Sequence, residues 1–405
     1  MTLTRRLGTA DAVVVGLGSM IGAGVFVVFA PAAAAAGTGL LLSLAVAAAV
    51  AFCNAMSSAR LAARYPVSGG SYVYGRERLG DFWGHVAGWS FLVGKTASCA
   101  VMALTVGLYL WPAHAHVMAA AAVAALTALN YRGIHRSVLA TRVVVAVVLA
   151  VLAGVVLVVA TSGQAEPTRI SQPGGSLHGV LQAAGLLFFA FAGYARIATL
   201  SEEVRDPART IPRAITLALG ITLAVYTTIA LTLLAALGPV ELASATAPLV
   251  AAVQACGAGE FAPAVRIAAA VAALGSLLAL ILGVSRTALA MARDGHLPAV
   301  LAAVHPRFGG PHRAEVAVGV VVAAVTAVAD VREAIGFSSF AVLVYYAVTN
   351  ASAWTLDGAV ARRVVPALGF AGCLLLTFFL PWASVITGSV ALAVGTVLFV
   401  ITRAR

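Results

Sequence analysis

Apolar residues occur in a dozen long stretches, separated by short segments that are polar or rich in proline and glycine. Each stretch approaches the roughly 20 mostly apolar residues that an α-helix needs to cross the hydrocarbon core of a bilayer. The pattern therefore predicts an all-α polytopic membrane protein of about 12 transmembrane helices. The predicted spans are residues 10–36, 40–63, 82–110, 116–131, 140–161, 178–201, 212–237, 263–291, 314–330, 335–356, 364–381 and 383–402.

Little of the chain lies outside these spans, so residues 1–405 are interpreted as a single membrane domain. The longest connections are predicted at residues 64–81, 162–177 and 238–262, and each contains proline or glycine. The first apolar stretch is too long for a signal peptide and is followed directly by further spans, so it is predicted to be the first helix.

The composition agrees with a membrane protein, because 62% of the residues are hydrophobic, 10% are charged and the mean hydropathy is +1.02. A net charge of +11 in a soluble protein would suggest nucleic acid as a partner. In a membrane protein, basic residues first indicate topology. With the N-terminus inside, twenty of the 25 Lys and Arg residues fall on that side, in loops or at the ends of spans. We therefore expect the inner cell membrane, both termini in the cytoplasm and no nucleic-acid partner.

The first and sixth spans both carry glycine in mid-membrane, at Gly22-Ala23-Gly24 and at Gly193. Glycine weakens a helix, and an unwound turn is tolerated at this depth only where it lines a cavity within the protein. Two such interruptions, five spans apart, indicate a transporter built from an inverted repeat. A second interpretation is that these glycines allow two helices to pack closely.

Several motifs carry a resemblance to a known family. The segment 18–26, Gly-Ser-Met-Ile-Gly-Ala-Gly-Val-Phe, resembles the first-helix signature of the amino acid–polyamine–organocation (APC) transporters. Residues 188–194 and 202–212 resemble their sixth helix and its cytoplasmic exit. Residues 285–298 resemble the end of their eighth helix, and the loop at 66–74 fits as well, so the resemblance covers essentially the whole chain.

The resemblance implies an amino acid permease that works by alternating access. It also implies an APC-type five-plus-five inverted repeat with discontinuous helices 1 and 6 and two extra C-terminal helices. Repeat one would cover about 10–161, repeat two about 178–356 and the extra helices about 364–402.

The predicted site binds the two charges that every amino acid carries. Free N–H groups at an unwound first helix lie at the positive end of the following half-helix and suit a carboxylate. Carbonyls released in the first and sixth helices suit the α-ammonium group. An aromatic gate is implied at Phe189 or Phe191, although simple packing of either ring is an open alternative. The predicted substrate-binding residues are Met20, Ile21, Gly22, Ala23, Gly24, Phe189, Ala192 and Gly193.

The predicted pocket has no carboxylate. Family members often have an acidic residue just after the sixth-helix glycine, where this chain has Tyr194-Ala195-Arg196, and all 14 Asp and Glu residues lie in loops or at span ends. A cationic side chain would stay unneutralised there, at a cost of several kcal/mol. The sequence therefore favours a neutral amino acid, with an acidic one second.

Lys95 and Arg196 are ionisable residues within predicted spans, which makes them candidates for coupling. Proton-coupled and exchanging members of the family commonly have a lysine in the fifth helix, and residues 141–158 contain none. Lys95 or Arg196 could supply that positive charge near the first helix's unwound carbonyls, and only Lys95 can release a proton. The alternative is that both are structural and bond backbone carbonyls or extend to an interface.

Acidic and basic residues alternate after the sixth span, from Glu202 and Glu203 to Arg213. One interpretation is a cytoplasmic gate in which Glu203 pairs with Arg5, Arg6 or Arg286. The other is a solvated loop.

Other classes of function lack a signal in the sequence. The four cysteines have no paired spacing, and neither a phosphate-binding loop nor a zinc-binding helix motif occurs, so no disulfide, metal or cofactor is predicted. An enzyme would need convergent catalytic residues at one depth. We therefore expect a secondary active amino acid transporter, not an enzyme, driven by proton coupling or exchange. An exporter of neutral amino acids and a non-transporting sensor are the alternatives. The expected partners are an amino acid, a proton or counter-substrate, and the lipid bilayer, with the oligomeric state left open.

Overall fold

A computed structural model describes residues 7–65, 69–132, 138–170, 175–198, 204–356 and 361–403. Regular structure in these ranges is helical, apart from one isolated bridge between Leu7 and Val204. The α-helices are α1 (Thr9–Met20), α2 (Gly24–Val27), α3 (Phe29–Ala36), α4 (Leu40–Arg64), α5 (Ser71–Leu79), α6 (Asp81–Leu110), α7 (Ala115–Tyr131), α8 (Val138–Thr161), α9 (Leu177–Phe191), α10 (Ala195–Ala198), α11 (Pro207–Ser244), α12 (Pro248–Ala255), α13 (Ala262–Arg293), α14 (His312–Val328), α15 (Val331–Trp354), α16 (Ala361–Phe379) and α17 (Trp382–Arg403).

The prediction of a polytopic helical membrane protein is confirmed. Ten helical stretches in the described part of the chain are long and apolar enough to cross a membrane, and Arg363–Phe379 is a shorter apolar helix. The 17-residue helix α14 lies where the ninth span was expected. Each of the twelve predicted spans therefore corresponds to a helix or to a run of short helices.

The connection predicted at 238–262 was wrong in part, because helices occupy much of it. Gly238 has φ 70°, which kinks α11, and the helix then continues from Pro239 to Ser244. The helix α12 begins at Pro248. Proline has no N–H and suits the first turn of a helix, so both prolines start helical segments here instead of marking a loop.

Several loops meet at one end of the helix bundle. Tyr72 in α5 donates a hydrogen bond to Asp294, which follows α13, over 2.7 Å, and Arg76 contacts the same carboxylate oxygen at 2.5 Å. Arg78 bonds to Thr355 after α15. Burial, together with the Asp294 carboxylate, raises the pKa of Tyr72, so its hydroxyl stays protonated and can donate. We call this end the basic face, defined by α5, Asp294 and Thr355.

The centre of the bundle is packed around α15, which is largely buried. It lies against α6, where Ser98 and Ser338 share a hydrogen bond of 2.7 Å between their hydroxyls. A β-carbon at Gly94 would approach that of Ala341 to 2.8 Å, so glycine permits this close contact. The pair also contacts both interrupted spans, since α15 packs against α9 and α6 packs against α2.

Candidate substrate site at the two interrupted helices

The first span is interrupted where the glycines predicted it. The helix α1 ends at Met20, residues 21–23 leave the helical path, and α2 begins at Gly24. Val28, with φ −77° and ψ −26°, links α2 to α3, so Gly24 starts a half-helix that runs on to Ala36. The first N–H groups of a helix have no partner within it and carry the positive end of its dipole. This backbone can therefore bind an anion.

The sixth span is interrupted less completely. The helix α9 ends at Phe191, a 3₁₀ turn covers Ala192–Tyr194, and α10 follows from Ala195 to Ala198, where this described stretch ends. A 3₁₀ turn changes the hydrogen-bond spacing from four residues to three without opening the backbone fully. The sixth span therefore tightens where the first span unwinds.

Glycines bring these two interruptions into direct contact. A β-carbon added at Gly193 would lie 2.7 Å from the Met20 amide nitrogen and closer still to the Ser19 carbonyl. One added at Gly24 would lie 2.9 Å from the Ala190 β-carbon. The close-packing interpretation thus holds for these glycines alongside the interruption.

Polar groups from two other helices reach the interruption, and the sequence analysis did not identify them. The Tyr226 hydroxyl on α11 donates to the Met20 carbonyl at 2.6 Å and lies 3.2 Å from the Ala190 carbonyl. Ser276 on α13 donates to the Gly18 carbonyl at 3.3 Å. Ser276 stands alone among apolar neighbours, whereas Tyr226 is followed by Thr227 and Thr228, so the signal in each case was only a polar side chain within a mostly apolar span. The Met20 carbonyl, predicted to receive a substrate ammonium, is bonded to Tyr226 in this conformation.

The two candidate gate rings differ in position. Phe189 lies beside Gly24, since an added β-carbon there would be 3.9 Å from its ring. Phe191 is fully buried and packs edge-on against Tyr226, with ring centroids 5.2 Å apart. Phe189 is therefore the ring placed next to the interruption, and Phe191 packs behind it.

Apolar residues of two other helices pack around Ala23. Ala23 belongs to a buried cluster with Val106 of α6 and Ala273 of α13, and Met102 packs against it. Such a lining suits an uncharged side chain.

The two coupling candidates occupy different surroundings. Lys95 is 7% exposed and forms no hydrogen bond or salt bridge with another described residue. It lies eleven residues before Val106, the α6 residue that shares a buried cluster with Ala23, which is about 16 Å along the helix axis. Arg196 is half-buried on α10 and has an interaction partner.

The predicted gate is only partly within the described structure. Glu203, Arg5 and Arg6 lie outside the described residues. Arg286 is exposed, and its charge acts on the buried carboxylate of Glu315. Asp206 and Arg209 form an exposed ion pair at 3.8 Å.

The segment that precedes the first interrupted span is tied to the segment that follows the sixth. Leu7, just before α1, bridges to Val204, and the Arg205 N–H donates to the Leu7 carbonyl at 2.9 Å. Movement of one interrupted span is therefore linked to the chain that follows the other.

The helical fold with two touching interruptions defines a multi-pass membrane protein of the APC type. Residues 7–403 match the amino acid permease family, and the chain belongs to that family. The resemblance seen in the motifs at 18–26 and 188–194 is thus confirmed.

Similar proteins are transporters. An uncharacterized transporter of Mycobacterium tuberculosis is 66% identical over 405 residues, covering 99% of this chain and 92% of the relative. The branched-chain amino acid permease BcaP of Bacillus subtilis is 28% identical, covering 98% and 93%. The methylthioribose transporter of the same organism is 25% identical over the same shares.

Proposed function

We propose that this protein is a secondary active transporter of a neutral amino acid, working by alternating access in the inner cell membrane. The basic face would lie in the cytoplasm, in keeping with the positive-inside rule. The observation that carries the proposal is the interruption at residues 21–23, followed by a half-helix that begins at Gly24.

The backbone supplies both poles of the substrate site. The substrate carboxylate would accept hydrogen bonds from the N–H groups of Gly22, Ala23 and Gly24 at the positive helix end. The α-ammonium group would donate hydrogen bonds to the Ile21 carbonyl and to the backbone carbonyl of Phe189 or Ala192 on the sixth span. Because Tyr226 is bonded to the Met20 carbonyl, that carbonyl would join the site only if the tyrosine released it.

The substrate's side chain would face the apolar cluster of Ala23, Met102, Val106 and Ala273. An aliphatic side chain gains from burial there, at roughly 25 cal/mol for each Å² removed from water. A cationic side chain would find no carboxylate among these residues. The name of the branched-chain permease of Bacillus subtilis fits this preference. The name of the methylthioribose transporter refers to a different substrate class. The preference for a neutral amino acid therefore rests on the apolar residues around Ala23 and not on the names of relatives.

Lys95 would carry the coupling proton. A buried ammonium without a counter-charge is costly, and losing its proton removes that cost. Arg196 would act as a fixed charge, since arginine does not release its proton. Exchange without net proton movement would use the same substrate site, and Lys95 would then keep one protonation state throughout.

Binding can be tested by a thermal-shift screen of the purified protein against the common amino acids, with and without sodium and across pH. A substrate stabilises the folded protein by binding it in preference to the unfolded chain. We expect neutral aliphatic amino acids to raise Tm, and arginine and lysine to leave it unchanged. A shift with cationic amino acids alone would contradict the proposed pocket.

Transport can be tested in proteoliposomes with the amino acid that gives the largest shift. We expect counterflow exchange, and accumulation when a proton gradient is imposed. In Lys95→Ala, gradient-driven accumulation should fall at least tenfold while exchange persists. Unchanged accumulation would exclude a coupling role for Lys95. Binding without any movement of substrate would indicate a sensor.

A further inference from the structure

A buried carboxylate lies where the chain that leaves α13 at the basic face enters α14. Glu315 is in the first turn of α14 and is 1% exposed. Neither of its carboxylate oxygens has a hydrogen-bond partner among the described residues, and Glu315 is absent from the ion pairs that those residues form. A buried carboxylate without hydrogen bonds is costly as an anion, and protonation removes that cost.

Two features of the surroundings favour the charged form of Glu315. The first turn of a helix carries the positive end of its dipole, and the charge of Arg286 on α13 acts on the Glu315 carboxylate. Neither feature supplies a hydrogen bond to the carboxylate oxygens. Burial therefore favours the proton while the helix end and Arg286 favour its release. Such opposed influences on one acid are typical of groups that exchange protons.

Two histidines lie between Glu315 and the protein surface. His312 precedes Glu315 by three residues on the same face of α14, and its Nδ1 is buried without a hydrogen-bond partner in the described part of the chain. The ring of His305 lies 5.2 Å from that of His312, and its Nδ1 accepts hydrogen bonds from the N–H groups of the exposed residues 307–308. Tyr131 of α7 covers His312, with ring centroids 6.0 Å apart. Histidine gains and loses a proton near neutral pH, so this pair can pass protons between solvent and Glu315.

The helix α13 connects this carboxylate to the proposed substrate site. Ser276 of α13 bonds the Gly18 carbonyl at the first interruption, and Arg286 lies ten residues further along, about 15 Å on the same helix. The helix α13 also packs against α14. No titratable side chain of α6, which packs against α14 as well, acts on Glu315 in the described structure. Movement of α13 with the first span would therefore change the distance from Arg286 to Glu315, and with it the cost of the negative charge.

We propose that Glu315 is a proton-binding site, protonated in this conformation and able to release its proton when Arg286 approaches. A metal ion would need further ligands, and the described residues contain no group of three His, Cys, Asp or Glu side chains that could hold one. The proton site itself does not depend on transport. Its role in coupling, in addition to that of Lys95, rests on the proposed function.

The proton site can be tested by measuring Tm of the purified protein from about pH 5 to about pH 9, the range in which a retained carboxyl proton is lost. Glu315→Gln keeps the size and neutrality of the protonated acid. A proton that the folded protein holds more tightly than the unfolded chain stabilises the fold at low pH, and this stabilisation is lost as pH rises. We expect equal Tm values at the acidic end, and at the alkaline end a wild-type Tm about 2–4 °C below that of Glu315→Gln.

The matched control is Glu241→Gln, which removes an exposed carboxylate on α11 and should follow the wild-type curve at every pH. A constant difference between wild type and Glu315→Gln, or a more stable wild type at alkaline pH, would overturn the proposal. So would a rise in the wild-type Tm on replacing choline chloride by sodium chloride at alkaline pH that is lost in Glu315→Gln, because the site would then bind sodium.

Two further variants separate the site from its role in coupling. In Arg286→Gln the alkaline loss of Tm should begin at a higher pH, because the charge that favours release is gone. An unchanged curve would refute the link to α13. In proteoliposomes, Glu315→Gln should lower gradient-driven accumulation several-fold while exchange at equal pH on both sides persists, and unchanged accumulation would refute the coupling role. If the wild-type protein exchanges no amino acid, the proposed function fails while the Tm curves still decide the proton site.

Discussion

The two interrupted spans carry similar glycine signals in sequence and differ in structure. The first span leaves the helical path over residues 21–23, whereas the sixth passes through a 3₁₀ turn at Ala192–Tyr194. The difference follows from their contacts. Gly193 lies directly against the backbone of Ser19 and Met20, so its lack of a side chain allows the sixth span to approach the first closely. At residues 21–23, by contrast, the backbone itself leaves the helix.

This contrast shows that a mid-membrane glycine can act in two ways. Close approach needs a missing β-carbon, and an opened turn needs groups that hold the released backbone. At the first span those groups are Tyr226 and Ser276, which bond the carbonyls of Met20 and Gly18. Variants at the two spans should therefore fail for different reasons.

The largest effect is expected at Gly193. In Gly193→Ala the added methyl group meets backbone atoms of Ser19 and Met20, which cannot rotate away as a side chain can. We expect a loss of about 3 kcal/mol in the free energy of unfolding, the upper end for overpacking, and a loss of transport. Differential scanning fluorimetry and counterflow would measure both.

Gly220→Ala is the matched control for that variant. Gly220 also lies within a membrane helix, α11, but an added β-carbon there would meet nothing within 4 Å. Its Tm should stay unchanged or rise slightly, because alanine favours a helix over glycine by up to about 1 kcal/mol. Equal Tm values for the two variants would mean that Gly193 is not a contact point.

A smaller stability effect is expected for Gly24→Ala. Its added methyl group would lie 2.9 Å from the Ala190 β-carbon, and a small shift of α9 relieves that contact. We expect a loss of about 1–2 kcal/mol in stability. Because Gly24 begins the half-helix proposed to hold the carboxylate, KM for exchange should rise more than tenfold while folded protein persists. A normal KM would separate Gly24 from the substrate site.

The sequence predicted the helices well, because a span in lipid must be both apolar and long. It also located both interruptions, since glycine is the residue that permits them. It did not predict Tyr226 or Ser276, because a polar residue in an apolar span gives no indication of what it faces. The helical segment beyond Gly238 was missed because Pro239 at a helix start resembles proline in a loop.

The positions of the charged residues were harder to predict for a similar reason. Periodicity places Lys95 within α6 but not at a depth relative to Ala23, which depends on how α6 packs against the first span. The charge of the exposed Arg286 acts on Glu315, which lies 29 residues further along the chain. Pairings of this kind depend on tertiary packing, which local patterns do not contain.

The smallest effect that still discriminates between the two spans is expected for Tyr226→Phe. The ring remains to pack against Phe191 and Phe29, and only the hydrogen bond to the Met20 carbonyl is lost. The cost in the free energy of unfolding should be about 1 kcal/mol, the net contribution of one hydrogen bond. If that carbonyl then becomes available to the substrate ammonium, KM for exchange should fall, so binding tightens while the protein becomes less stable. If KM rises together with the loss of stability, Tyr226 holds the unwound backbone in its binding shape, and the released Met20 carbonyl is a structural element of the first span.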